Sequence, residues 1–311
     1  MQATTILNII LVIISLDYLF NLILGLLNYN SFDRSIPKNL KGIYDEKEYI
    51  NSQAYNKSNF SFGLFTSTIN FLILFCIFKF GLLGVLDSLL RNYSPENEIS
   101  LSLLFFAFIF LINDIILIPF QLYKIFVIEE KFGFNKMNLK TFILDKFKSY
   151  ILVLILGGIL ISILLILIML YPSNFWIYFW IVISLFTVFI NMFYTSLIVP
   201  LFNKLIPLES GELRNKINSY AKKVNFPLTN IFVINGSKRS SKANAYFSGL
   251  GRAKKIVLFD TLIKNHTDDE LVSVLAHEVG HYKKNHVYLN LIISIIISGI
   301  MLFILSKFLF N

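Results

Sequence analysis

Long apolar runs separated by polar segments dominate the sequence. Each of six runs is long enough for an α-helix to cross the roughly 30 Å hydrocarbon core of a bilayer. The runs lie at about residues 4–27, 62–90, 101–128, 150–170, 175–199 and 287–310. The first is too long for a signal-peptide core and has no basic residue before it, so we interpret it as a span. The pattern predicts an α-helical multi-pass membrane protein with six transmembrane helices.

The segment between spans five and six has a different pattern. Over residues 201–286, apolar residues recur at helical spacing from Leu213 to Val224, and the pattern stops at Pro227. A short β-rich run follows at 231–234. The chain is therefore predicted to consist of an N-terminal transmembrane bundle, a small α+β region outside the membrane and a sixth span. Their predicted bounds are residues 1–200, 201–286 and 287–311.

A β-hairpin is predicted near the end of this α+β region. Residues 243–248 and 256–259 form its strands, and a glycine-containing turn at 249–254 joins them. An exposed edge of the hairpin could hold an extended peptide by backbone hydrogen bonds. An ordinary hairpin with no role in substrate binding is the alternative.

The composition supports the membrane assignment. Hydrophobic residues make up 56% of the 311 residues and charged residues 15%, which excludes an ordinary soluble domain and a disordered chain. Cys76 is the only cysteine, so one chain can build neither a disulfide nor a cysteine metal site. The net charge of +9 could indicate nucleic-acid binding, but the basic residues are spread over several loops without a nucleic-acid motif. No nucleic-acid partner is predicted.

The basic residues predict an orientation in the membrane. All but four of the 28 Lys and Arg lie in the loop between spans one and two, the loop between spans three and four, and the segment 200–286. Because these three segments follow spans one, three and five, they lie on the same side of the membrane. Because positively charged loops face the cytoplasm, the α+β region is predicted to be cytoplasmic. We expect the endoplasmic reticulum membrane for a eukaryotic source and the cytoplasmic membrane for a bacterial one.

The sequence HEVGH at 277–281 carries the candidate chemistry. On an α-helix, His277 and His281 are about 40° apart, so both can bind one metal ion. Glu278 is about 100° from the first and about 60° from the second, so its carboxylate can reach a water on the metal rather than the metal itself. The pattern predicts a zinc peptidase site with two histidine ligands and Glu278 as the catalytic base.

The flanking residues indicate that the motif lies on a helix. Thr267 and Glu270 have the spacing of a capping box. Gly280 has no side chain and favours a closely packed neighbour. Two core histidines satisfied by backbone carbonyls are the alternative to a metal site. On a continuous helix His286 is about 180° from His277, so it is interpreted as a polar residue near the membrane surface and not as a ligand.

Five characteristic segments occur in order along the chain. They are EEKFGFNK at 129–136, PLFNK at 200–204, NGSKRSSKANAYF at 235–247, IVLFD at 256–260 and HEVGH at 277–281. Together they resemble the type I CAAX prenyl proteases. The resemblance covers nearly the whole chain. Members of this family are zinc-dependent integral-membrane endopeptidases that cleave near the C-terminus of prenylated proteins.

The resemblance implies a chamber enclosed by tilted membrane helices, with the metal at its cytoplasmic end. It implies that the two motif histidines bind one Zn²⁺ in the complete enzyme and that Glu278 activates water. The backbone around Asn244, Ala245 and Tyr246 would line the substrate cleft. The implied partners are a prenylated or hydrophobic peptide or protein substrate and the lipid bilayer.

The sequence departs from the family after the sixth span. Members have a seventh span and then a cytoplasmic helix whose glutamate is the third zinc ligand, whereas this sequence ends at Asn311. Two histidines alone should bind a catalytic zinc weakly. No spacing supports Glu209 or Glu212 as a replacement, so no third ligand is predicted in this chain. We expect an incomplete chain, whose site a separately supplied C-terminal segment would complete.

Three functions stay open on the sequence alone. The first is a zinc-dependent metalloendopeptidase acting near the C-terminus of prenylated CAAX proteins or on other hydrophobic membrane-associated peptides. The second is a truncated, non-catalytic fragment that lacks the third zinc ligand. The third is a transporter or channel, which explains the spans but not a capped helix with this histidine motif. The sequence favours the metalloendopeptidase.

Overall fold

Long helices make up most of the fold. The computed structural model describes residues 3–30, 32, 35–38, 41–43, 45–93, 97–226, 230–249 and 255–309. Among these residues, six helices are long and apolar enough to cross a membrane, which confirms the predicted fold class. They are Thr4–Tyr29, Glu46–Lys79, Glu98–Glu129, Leu139–Leu170, Phe175–Phe202 and His286–Leu309. The chain forms two compact units, Met1–Asn135 and Lys136–Asn311.

The first unit is helical. Its helices are α1 (Ala3–Asn30), α2 (Glu46–Lys79), α3 (Leu82–Arg91) and α4 (Glu98–Tyr123), and α4 continues into a π-helical turn (Lys124–Glu129). Tyr18 of α1 stacks on Phe71 of α2 with ring centroids 4.3 Å apart, and its hydroxyl lies 2.8 Å from Thr68 Oγ1. Because lipid is as apolar as the helix surfaces, such a polar contact helps to fix how the two helices pair.

The second predicted span, 62–90, is wrong in its bounds. The helix begins earlier, at Glu46, where the Asp45 side chain caps the first turn, and it ends at Lys79. Gly81 then adopts a φ of 64°, a left-handed conformation that separates α2 from α3. The length of the apolar run did not predict either end of the helix, because the first turns of α2 are polar and the break lies between two apolar stretches.

The described residues of the second unit include three long helices. They are α5 (Leu139–Leu170), α6 (Phe175–Phe193), which continues through a π-helical turn (Tyr194–Ile198) into α7 (Val199–Phe202), and α11 (His286–Leu309). Trp180 of α6 donates from Nε1 to Ile295 O of α11 at 2.8 Å. A Cβ on Gly299 would lie only 2.9 Å from that indole nitrogen, so this close approach requires glycine.

A four-stranded sheet follows α7 in the chain, with the strand order β1-β2-β4-β3. The elements of this region are β1 (Leu205–Pro207), α8 (Glu212–Lys223), β2 (Ile231–Ile234), β3 (Ala245–Ser248), β4 (Lys255–Phe259), α9 (Asp260–Asn265) and α10 (Asp268–Lys283). The β2–β4 pair is parallel and the other pairs are antiparallel. Pairing of β3 with β4, with Ala245 opposite Leu258, confirms the predicted hairpin. Most of its predicted turn, 250–254, and Pro227 lie outside the described residues.

The core of this region lies between the sheet, α8 and α10. Its buried residues include Ile256 and Leu258 of β4, Ile217 and Ala221 of α8, and Leu271, Leu275 and Val279 of α10. The three α10 residues are four apart, so they form one buried stripe. The stripe fixes which face of α10 points away from the core.

Candidate metal centre

Local hydrogen bonds fix the start of α10. The Thr267 hydroxyl accepts from Glu270 N at 3.4 Å, and Glu270 Oε2 accepts from Thr267 N at 2.8 Å, which is the predicted capping box. The hydrogen bond from the Thr267 backbone is the main reason that the pKa of the Glu270 carboxyl is lowered. Lys216 of α8 lies 3.0 Å from Asp269. These contacts hold the first turn of the helix that carries the motif.

The motif histidines turn neighbouring ring nitrogens toward each other. His277 Nε2 and His281 Nε2 are 3.1 Å apart, and the ring centroids are 4.7 Å apart. Both side chains are exposed, which excludes the alternative of two core histidines. The predicted close packing at Gly280 is wrong, because a Cβ there would meet no described atom within 4 Å. The site is therefore open and not enclosed by the core.

The histidine pair fits a shared metal ion. Zn–N bonds of about 2.0–2.1 Å and tetrahedral coordination put two ligand nitrogens about 3.3 Å apart, close to the observed 3.1 Å. In the described part of the chain, no group of three His, Cys, Asp or Glu side chains could hold a metal ion. Glu212 lies 3.3 Å from Lys216 instead, and Glu209 is exposed in the loop before α8. The described residues therefore offer two candidate ligands.

Glu278 and His281 line a cavity of about 570 Å³. Tyr246 of β3, Asn191 of α6 and Tyr194 of the π-helical turn after α6 lie on its walls. Sequence reasoning missed Asn191 and Tyr194, because they belong to an apolar run whose pattern indicates only a membrane helix. A carboxylate beside an imidazole pair can accept and return a proton next to a bound ion.

His286 is the main departure from the predicted site. Its Nδ1 lies 2.8 Å from His281 Nδ1. The helix α10 ends at Lys283, and Asn285 takes a left-handed φ of 56° before α11 begins. The prediction that His286 points away from the motif is wrong, because it assumed one continuous helix through this turn.

The three predicted substrate residues lie where β3 begins, with Asn244 directly before the strand and Ala245 and Tyr246 as its first two residues. Asn244 O accepts from Phe259 N at 3.0 Å, and Ala245 pairs opposite Leu258. The backbone groups on this side of β3 are therefore hydrogen-bonded to β4. The other side of β3 is an edge of the described sheet. Of the three residues, Tyr246 lines the cavity, and burial raises the pKa of its phenol. An edge strand beside the histidine motif can bind an extended chain.

A largely buried ion pair holds the loop that leads into β3. Arg239 donates to both carboxylate oxygens of Asp145, at 2.7 and 2.9 Å, and each side chain is 19% exposed. The same guanidinium donates to Phe202 O at 2.8 Å and to the Asn203 side chain. The pair attaches the segment 235–247 to α5 and to the end of α7. Sequence reasoning missed it because the partners are 94 residues apart.

Comparison with known proteins identifies the family. A family model described as CAAX prenyl protease N-terminal, five membrane helices, matches residues 26–204, and the model of peptidase family M48 matches residues 207–311. The chain belongs to the M48 CAAX prenyl protease family. This confirms the resemblance carried by the five sequence segments.

Relatives in the M48 CAAX prenyl protease family are longer than this chain. This chain is 39% identical over 279 residues to the probable CAAX prenyl protease 1 of Schizosaccharomyces pombe. The match covers 86% of this chain and 59% of that protein. This chain is also 33% identical over 309 residues to the CAAX prenyl protease 1 homolog of Homo sapiens. That match covers 83% of this chain and 64% of that protein. The chain thus spans 59% and 64% of these two curated relatives.

A solved structure shares the fold. The crystal structure of S. mikatae Ste24p superposes with a TM-score of 0.91 at 32% sequence identity, over 97% of this chain and 72% of that one. Membership in the M48 CAAX prenyl protease family, together with the six apolar helices, identifies a multi-pass membrane protein. Membership in the family also implies a metal cofactor.

Proposed function

We propose that this chain carries the membrane helices and the catalytic helix of a zinc-dependent integral-membrane endopeptidase. Its substrates would be prenylated CAAX proteins, cut near the C-terminus, or other hydrophobic membrane-associated peptides. The observation that carries the proposal is the 3.1 Å separation of His277 Nε2 and His281 Nε2 beside a cavity that Glu278 also lines. Family membership supports peptidase chemistry at that cavity.

His277 and His281 would hold the zinc ion through their Nε2 atoms, one ion in each complete enzyme. Bound zinc supplies Lewis-acid chemistry, which polarises the scissile carbonyl and makes water more acidic. A catalytic zinc ordinarily has three protein ligands, and the described residues offer two. The proposed enzyme therefore needs one further ligand from outside this set.

Glu278 would move the proton. Its carboxylate is half-buried on the cavity wall, next to the exposed histidine pair. As water attacks the scissile carbonyl, Glu278 takes a proton from that water, and it then donates the proton to the departing amine. One carboxylate would thus serve as base and then as acid, a role that contributes about 10²–10⁴-fold to rate.

The edge of β3 would hold the peptide. An extended substrate strand would add to this edge. It would form hydrogen bonds with the backbone groups around Asn244, Ala245 and Tyr246 that do not pair with β4. Apolar side chains on the cavity wall would receive a hydrophobic side chain or a prenyl group. They include Ile190, Tyr194, Phe247, Val287 and Tyr288. Each Å² of apolar substrate surface buried there contributes about 25 cal/mol.

The site would face the cytoplasm. The distribution of Lys and Arg over the loops supports this orientation. In a eukaryotic cell the membrane would be that of the endoplasmic reticulum, and in a bacterium the cytoplasmic membrane. Prenylated or lipid-embedded substrates would then reach the cavity from the bilayer.

The test compares the chain with its Glu278→Gln variant, each purified together with a separately supplied C-terminal segment that provides the third ligand. Zinc content is measured by atomic absorption, and cleavage is measured on a farnesylated peptide that ends in a CAAX sequence. The proposal expects zinc in both proteins and cleavage only in the unmodified one. The His277→Ala variant, which loses a ligand, is expected to lose both zinc and cleavage.

A non-catalytic fragment is the second candidate, because the described residues offer two candidate metal ligands and no group of three. Zinc without any Glu278-dependent cleavage would support this candidate and contradict the enzyme. Absence of both zinc and cleavage would contradict the metal site itself. Ion or solute flux through reconstituted vesicles would then test the transporter alternative.

A further inference from the structure

His286 contacts a proposed metal ligand but has no part in the proposed chemistry. Its Nδ1 is 2.8 Å from His281 Nδ1, and the two ring centroids are 4.9 Å apart. His281 turns its other nitrogen, Nε2, toward His277. Both ring nitrogens of His281 are therefore in contact, with one partner on each side of the ring.

The contact is not that of a third ligand on the same ion. The two nitrogens of an imidazole point in different directions, so a partner at Nδ1 cannot share an ion that lies at Nε2. Consistently, His286 is not part of any three-residue metal cluster within the described residues. A group that binds the free nitrogen of a ligating histidine is typically one that orients the ligand.

We propose that His286 is a positioning residue for His281, an inference that rests on the proposed metal site. A neutral imidazole carries one N–H, so keeping the Nε2 lone pair for a metal requires the proton on Nδ1. His281 Nδ1–H then donates to the lone pair on His286 Nδ1, and His286 carries its own proton on Nε2. This hydrogen bond fixes both the tautomer and the orientation of the His281 ring.

The turn between α10 and α11 holds His286 where it can accept this hydrogen bond. Asn285 has a φ of 56°, its N–H donates to Tyr282 O at 2.9 Å, and its carbonyl accepts from Leu289 N at 2.9 Å. As a result α11 starts directly at His286. His286, the first residue of the candidate membrane helix α11, thereby orients the ring of His281, which belongs to the preceding helix α10.

Three substitutions separate this role from a general structural one. His286→Leu removes the acceptor nitrogen but keeps a side chain of similar size. His286→Asn keeps an acceptor, because the Asn Oδ1 is bonded to Cγ just as Nδ1 is in histidine. His266→Leu is the matched control, since it removes another exposed imidazole, located just before α10.

The first experiment measures zinc affinity of the purified chain by competition with a chromogenic chelator. His286→Leu is expected to raise the zinc Kd by about 10–100-fold, the usual effect of removing such a partner. His286→Asn should recover most of the affinity, and His266→Leu should leave it unchanged. If His286→Leu binds zinc as tightly as the unmodified chain, the proposal is overturned.

The second experiment needs no metal. The chain has four histidines, so ¹⁵N-histidine labelling gives few ring signals, and the His281→Ala variant identifies those of His281. Under alkaline conditions, where imidazoles are neutral, we expect the His281 proton on Nδ1 in the unmodified chain and on Nε2 in His286→Leu. A His281 ring protonated on Nε2 in the unmodified chain would overturn the positioning role.

The two readouts distinguish failure of this inference from failure of the proposed function. If zinc binds to the unmodified chain no better than to His277→Ala, the metal site fails. An Nδ1 proton on His281 that depends on His286 would even then support the contact. If zinc binds through His277 and His281 but neither affinity nor tautomer responds to His286→Leu, the metal site stands and His286 has no positioning role.

Discussion

The two ends of α10 are held in different ways. At the N-terminal end, Thr267 and Glu270 exchange hydrogen bonds within one turn, and both groups complete the helix terminus. At the C-terminal end, three exposed imidazoles contact one another and none of these contacts completes a helix terminus. Local hydrogen bonds that close a terminus stabilise the helix, whereas the converging ring nitrogens are the groups that the proposed metal site would use. The comparison therefore predicts that stability and metal chemistry can be changed separately along one helix.

The largest expected effect is at the C-terminal end, on replacement of Glu278 by Gln. Because Gln cannot accept the proton, kcat/KM for a farnesylated peptide should fall by about 10²–10⁴-fold in the zinc-loaded enzyme. Zinc content should not change. The free energy of unfolding should change by no more than about 0.5 kcal/mol, since Glu278 is not a core residue. Parallel measurements of cleavage, zinc and thermal unfolding check all three.

A loss of stability in Glu278→Gln similar to that of a core variant would contradict the separation between the two ends. Glu278→Asp is the matched control. It keeps a carboxylate on a shorter side chain, so part of the activity should return while stability stays the same. Full activity in the Gln variant would remove Glu278 from the mechanism.

The next effect is expected in the middle of the helix, at Leu275. Its side chain is 1% exposed and belongs to the stripe that attaches α10 to the sheet and α8. Leu275→Ala should lower the free energy of unfolding by about 2–5 kcal/mol, because it leaves a cavity in a packed core. Denaturant titration in detergent gives the value. Ser273→Ala, on the exposed side of the same helix, should change it by less than about 0.5 kcal/mol.

Features of the site that depend only on nearby residues could be predicted from the sequence. The capping box at Thr267 and the spacing of His277 and His281 depend on residues within one or two turns, and both are present in the structure. The β3–β4 hairpin is equally local. Each of these predictions needs only the helical or strand period and the chemistry of nearby side chains.

The missed features depend on single backbone angles or on distant partners. The φ of Asn285 brings His286 to His281, and the φ of Gly81 divides an apolar run into two helices. No hydropathy pattern contains these angles. The ion pair of Arg239 with Asp145 joins residues from different elements, so it exists only once the fold has formed. Sequence periodicity therefore predicted the elements better than the contacts between them.

A smaller effect is expected at the N-terminal end, from Thr267→Ala. Loss of the cap leaves a helix N–H without its partner and should lower the free energy of unfolding by about 1 kcal/mol. Thr267→Ser keeps the hydroxyl and should restore the value. The zinc Kd, measured by chelator competition, should be the same in all three proteins. A change in zinc affinity that follows the cap would show that the two ends of α10 are coupled.

The smallest expected effect is the pH dependence contributed by Glu270. Its carboxyl has a lowered pKa in the folded chain because the Thr267 N–H and hydroxyl favour the charged form. The folded state therefore binds the proton less tightly than the unfolded state does. This contribution to stability is present above the ordinary carboxyl pKa and is lost as the pH falls through the lowered value. Glu270→Gln can still cap the helix but cannot ionise. The Tm difference between the unmodified chain and Glu270→Gln should thus be constant near neutral pH and shrink in acid, and a difference that grows in acid would reverse the assigned sign.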